Sequence, residues 1–88
     1  MSPESHSKYY QKYAAHFAAA SNQSLVKSFN KEVGNTGWTS MRASFIAALI
    51  DEFRNRGIDI SVVNDDRNTD FNHHVSLDGT TNRLILID

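Results

Sequence analysis

Histidine is the side chain best suited to hold a metal or to exchange a proton near neutral pH, and the chain has four. His73 and His74 are adjacent, so on a strand they point to opposite faces and cannot share one ion, while His6 and His16 are well separated in a helical stretch. They read as packed or solvated side chains; only His73 would share a strand face with Phe71, Val75 and Leu77. Asp65, Asp66, Arg67, Asn68, Thr69 and Asp70 set out carboxylate and amide oxygens as a calcium loop does. The run lacks the glycine of the sharp turn and the later bidentate Glu, so it reads as a solvated loop. No Ser or Thr sits in a glycine-framed elbow. Gly34, Asn35, Thr36, Gly37 and Trp38 have neither the Lys nor the preceding strand of a phosphate cradle. Cysteine is absent, which removes disulfides, thiolate zinc sites and thiol nucleophiles, and fits a reducing cytoplasm. The expectation is a chain with no enzymatic activity, no cofactor and no metal site.

One charged residue stands out against its surroundings. At 100° per residue, Arg42 falls in the middle of the apolar half of a helix that also carries Met41, Phe45, Ile46, Leu49, Ile50 and Phe53. A lone charge there is costly unless paired. Either its stem packs while the guanidinium reaches Glu32, Asp59 or a carbonyl and lies over Trp38, or Trp38 and Arg42 frame a shallow pocket for a carboxylate or a peptide end.

The elements that position these residues follow from periodicity. Ser2, Pro3 and Glu4 form a helix start, and Tyr9, Tyr10, Tyr13, Ala14, Phe17 and Ala20 form one apolar stripe, predicting a helix over about residues 4 to 20. Leu25, Val26, Phe29 and Val33 mark a short second helix ending at Gly34. The third begins with Thr39 or Thr36 as cap and stops at Gly57, with Ser40, Ser44, Ala47, Asp51, Arg54 and Asn55 on its polar half and ion pairs expected for Asp51 with Arg54 and Glu52 with Arg56. Ile58 is placed to fold back on Phe53. The period then changes to two. Ile58, Ile60 and Val62 form either a short strand or a turn, and Phe71, His73, Val75 and Leu77 a half-buried strand. A connection over residues 78 to 82 leads to a last strand at residues 83 to 88. The fold class is α+β: three N-terminal helices followed by a C-terminal antiparallel β-hairpin or small sheet.

At 88 residues the chain is read as a single domain, residues 1 to 88, since at this size roughly 60–65% of the unfolded surface is buried and one core is all that fits. Five Phe, three Tyr and one Trp within 40% hydrophobic residues supply that core without a staple. A formal charge of -1 offers no field to gather phosphates or anionic lipids, so nucleic acid is an unfavoured partner. No signal peptide is visible, and no window reaches the roughly 18 apolar residues that span a bilayer; the expected location is cytoplasmic, without membrane.

Residues 29 to 61, and within them Gly34, Asn35, Gly37, Trp38, Arg42, Arg56, Gly57, Ile58 and Asp59, resemble short uncharacterised bacterial open reading frames of the kind carried on mobile elements and integron gene cassettes. No activity carries over from that resemblance.

Function is therefore argued from surface. Leu84, Ile85, Leu86 and Ile87 are consecutive and apolar, so they load both faces of a strand, whereas a solvated hairpin strand alternates. One face can cover the helices and the other then needs a second cover. The leading expectation is a non-enzymatic protein-interaction or self-associating domain, a homo-oligomer joined through this strand or a binder of another protein. The competing arrangement keeps the strand central in one chain with both faces buried. The alternative function is a winged-helix-like DNA-binding domain, with Thr39, Ser40 and Arg42 opening a recognition helix, against which stand the charge, Asp65 and Asp66 at the wing and the apolar third helix.

Overall fold

The computed structural model describes residues 4–35, 37, 39–65 and 68–88, with side chains of the first helix described from Tyr9 onward. The elements run α1 (Glu4–Ala18), α2 (Asn22–Lys31), α3 (Ser40–Asn55), β1 (Val75–Asp78) and β2 (Arg83–Leu86). This is the expected α+β order of three helices and a C-terminal antiparallel two-stranded sheet. The Ser2 and Pro3 start signal, Thr36 and Trp38 lie outside the described residues.

Local chemistry explains each helix end. Ser21 caps α2, its hydroxyl accepting from the Ser24 amide, and Thr39 caps α3, its hydroxyl accepting from the Arg42 amide at 3.1 Å. Beyond α3 the chain turns through Gly57 at φ 71°; Ile58 donates to the Phe53 carbonyl and Gly57 to that of Arg54, the paired bonds of a Schellman end. Gly34, at φ 81°, makes the turn beyond α2.

α1 packs along α3, with Tyr13 and Phe17 each edge-on to Phe45 at 5.2 Å between ring centroids. The core gathers Phe17, Leu25, Phe29, Leu49, Phe53, Val75 and Leu84, all essentially without solvent contact. On α3 the burial departs from the helical wheel. Met41 is 46% exposed, while Ser44 and Ala48 are buried. α3 is covered by α1 and also approached by α2, so its buried arc is wider than one amphipathic stripe. Among the described residues no buried side-chain polar atom lacks a partner.

β1 and β2 pair in register Val75 to Leu86, Ser76 to Ile85, Leu77 to Leu84 and Asp78 to Arg83. The alternation expected from Phe71 onward becomes strand only at Val75. Before that the Asp70 carboxylate accepts from the Asn72 amide, and the Phe71 ring leaves the sheet to stack on Phe29 at 4.7 Å. Residues 58 to 63 form the turn that the sequence left open. The Asp59 carboxylate accepts from the Ser61 amide, and the bend leaves Val62 exposed and buries Val63 instead.

Candidate interaction edge

The backbone of β2 determines what the sheet can still bind. In an antiparallel pair, residues that exchange hydrogen bonds with the neighbouring strand alternate with residues whose amides point away. Ile87 donates to the His74 carbonyl, so the bonded pairs are 74 with 87, 76 with 85 and 78 with 83. Leu84 and Leu86 therefore turn their N–H and C=O outward. Asp59 runs beside the start of β2 as a one-residue parallel bridge, donating to the Asn82 carbonyl and accepting from Leu84 at 2.9 Å. Beyond it the edge is open: among the described residues nothing bonds the Leu84 carbonyl or the N–H and C=O of Leu86.

Apolar side chains accompany those open groups. Leu84 is buried and belongs to the core, whereas Ile85, Leu86 and Ile87 are 43%, 42% and 58% exposed. The strand does lie between the residue 59 bridge and β1, but its two faces are not buried within one chain as the central-strand alternative requires. Ile85 and Ile87 stand on the outer face with Ser76; Leu86 lies on the face shared with Leu84.

On the opposite edge of the sheet a side chain occupies the outward groups of Val75. The Asn30 carboxamide, from the last turn of α2, donates to the Val75 carbonyl at 3.0 Å and accepts from the Val75 amide at 2.8 Å. It takes both bonds that another strand would offer there. Periodicity alone does not flag Asn30; its low helix propensity near a helix end is the only hint.

Asp88 ties the far end of β2 to the start of β1. Its carboxylate accepts from the His74 amide at 2.7 Å and lies 2.6 Å from His74 Nδ1, and its backbone oxygen is 2.8 Å from His73 Nδ1. The bond from His74 holds the Asp88 carboxyl below its ordinary range. Both imidazoles therefore meet one residue rather than opposite faces, because residues 73 and 74 precede the regular strand. No group of three His, Asp or Glu side chains among the described residues is arranged to hold a metal ion.

Arg42 is engaged within the chain. Its Nε donates to Glu32 Oε1 at 2.6 Å, Nη1 donates to the Gly37 carbonyl at 2.9 Å, and Cζ lies 5.6 Å from the centre of the Phe71 ring. The two charged side chains are only 13% and 16% exposed. The expected pairing with Glu32 is present; the Trp38 half of the proposed pocket lies outside the described residues. A cleft of about 540 Å³ opens instead between α3 and residues 68–71, floored by Ala43, Ile46, Ala47 and Ile50, and Arg42 does not line it.

Two further polar groups hold the helices. Arg56 pairs with Glu52 as expected at 2.7 Å, and also donates to the carbonyls of Phe17 and Ala20 and to Asn22 Oδ1. Tyr10 donates to the Asp51 carboxylate, which takes the place of the expected pair with Arg54; Arg54 reaches Asn64 at 2.7 Å. No helix is long and apolar enough to cross a membrane among the described residues. Compared with protein-family models, curated proteins and solved structures, the chain matches none of them.

Proposed function

We propose that this chain is a non-enzymatic interaction domain that binds a polypeptide by strand addition along the open edge of β2. The observation that carries the reading is the coincidence of unpaired backbone groups at Leu84 and Leu86 with the exposed side chains of Ile85, Leu86 and Ile87. Main-chain bonds of this kind supply affinity, and alternate side chains supply selectivity. A bare apolar edge is normally blunted by Lys, Pro or a bulge, and residues 84 to 87 contain none of these. Arg42, the residue on which a pocket for a carboxylate or a peptide end would depend, is already held by Glu32 and Gly37, which favours surface over pocket.

Titration of isotope-labelled protein with a short blocked peptide of alternating Thr and Val tests this reading. The amide resonances of residues 84 to 87 are expected to shift together, and slowed solvent exchange of the Leu86 amide is expected in the bound state. Shifts confined to the cleft beneath α3, or none at all, would contradict it.

A further inference from the structure

We infer that the occupant of this edge is a second copy of the chain, paired antiparallel with β2 about a twofold axis at Leu86, so that Ile85 of each copy lies opposite Ile87 of the other. The inference rests on the strand-addition reading above and adds the partner and the register. Antiparallel pairing requires residues with outward amides to face one another, which limits the axis to a few positions. An axis at Ile85 needs the Leu84 N–H, which already donates to Asp59. An axis at Ile87 moves Ile85 off the partner's apolar segment. An axis at Leu86 lets the two Leu86 residues exchange N–H and C=O and brings the open Leu84 carbonyl to the partner's Asp88 amide, with the bond to Asp59 intact.

Side chains agree with that register. Ile85 and the partner's Ile87 become a directly opposed, non-hydrogen-bonded pair, the arrangement in which side chains approach most closely. The twofold repeats it, giving four isoleucines on the outer face, while the two Leu86 side chains meet on the other face. Charge selects direction as well. Arg83 opens the apolar segment and Asp88 closes it, so an antiparallel partner sets each Arg83 end against an Asp88 end, whereas a parallel one sets like against like. The product is a four-stranded sheet in the order β1, β2, β2, β1. Its outermost strands are the two copies of β1, where the Asn30 carboxamides occupy the outward groups of Val75, so a third copy cannot pair through the Val75 end of that edge.

The absence of cysteine makes the register directly readable. Ile85→Cys and Ile87→Cys proteins, each confirmed to keep the wild-type circular dichroism, are mixed in equal amounts in a glutathione redox buffer. Directly opposed Cβ atoms lie about 5 Å apart and diagonal ones about 7–8 Å, and a disulfide needs roughly 3.5–4.5 Å. The mixed 85–87 disulfide is expected in several-fold excess over the 85–85 and 87–87 products. No more of the mixed product than random pairing of the two variants gives, or a preference for 85–85, would overturn the register. Sedimentation of the wild type separates the two levels: a monomer at every concentration that still takes the Thr and Val peptide overturns the second copy and leaves strand addition standing, and a monomer that takes neither overturns both.

Discussion

Arg42 illustrates how a residue out of place on a helical wheel becomes a structural joint. Its guanidinium joins Glu32 at the end of α2, the Gly37 carbonyl in the connection and the Phe71 ring before the sheet, so one side chain ties three segments. Arg42→Ala leaves a largely buried Glu32 carboxylate without that partner and is expected to destabilise the fold by about 1–3 kcal/mol in denaturant unfolding. Arg42→Lys should recover only part of this, since an ammonium cannot reproduce the fork that serves Glu32 and Gly37 together. Pairing of Arg42 with a carboxylate was legible from its place on the apolar half of α3. The Phe71 contact was not, because it depends on where a distant segment leaves the sheet. Tyr10 is a second case. Its hydroxyl donates to Asp51, whose carboxylate disfavours the phenolate and pushes the Tyr10 pKa up to about 12. A folded value above the unfolded 10.0 means a contribution fully present below pH 10 and lost as pH rises towards 12. Ultraviolet titration should therefore show one tyrosine ionising late, and Asp51→Asn should return it towards the ordinary value; a late tyrosine in that variant would contradict the assignment.

At the level of elements, the three helices and their stops were readable because caps and glycines act locally. Thr39 at the start of α3 and Gly57 beyond its end are both used as their chemistry suggests. Gly57→Ala is expected to cost about 1–2 kcal/mol, the penalty for a Cβ in the left-handed region. What could not be read was how the elements are fastened to each other. Arg56 looks in sequence like the partner of Glu52, yet it also donates to the carbonyls of Phe17 and Ala20, at and just beyond the end of α1, and to the side chain of Asn22 at the start of α2, so the last residue before Gly57 clamps the corner between two other helices. Its value comes from carbonyls brought together only by folding, which no local pattern contains. Arg56→Ala should cost roughly 2–3 kcal/mol, most of it from hydrogen bonds to a charged donor. The strands were legible as periodicity but not in extent, because Asn72 and Ser61 bond to nearby aspartates instead of to a ladder. Asn30→Ala is expected to cost about 1–3 kcal/mol by removing two bonds to Val75. It should also speed exchange of the Val75 amide, a change that general destabilisation of the helices would not confine to that edge.

For the whole molecule, the two edges of the sheet are treated differently. On one, Asn30 occupies the outward groups of Val75; the other carries open backbone groups, with Ile85, Leu86 and Ile87 beside them. Four consecutive apolar residues, Leu84 to Ile87, were visible in the sequence, and the expectation that they exceed what one core absorbs agrees with the exposure of three. The division between Leu84 and the rest required the register with β1, which places Leu84 opposite Leu77 and over the core. The most direct test is sedimentation equilibrium of the wild type beside Ile85→Lys and Ile87→Lys. The wild type is expected to show a reversible monomer–dimer equilibrium, shifted at least tenfold towards monomer in either variant with the fold retained, because both positions face solvent in a single copy. A wild type that stays monomeric up to about 1 mM, where an association worth about 4 kcal/mol is half formed, would contradict it.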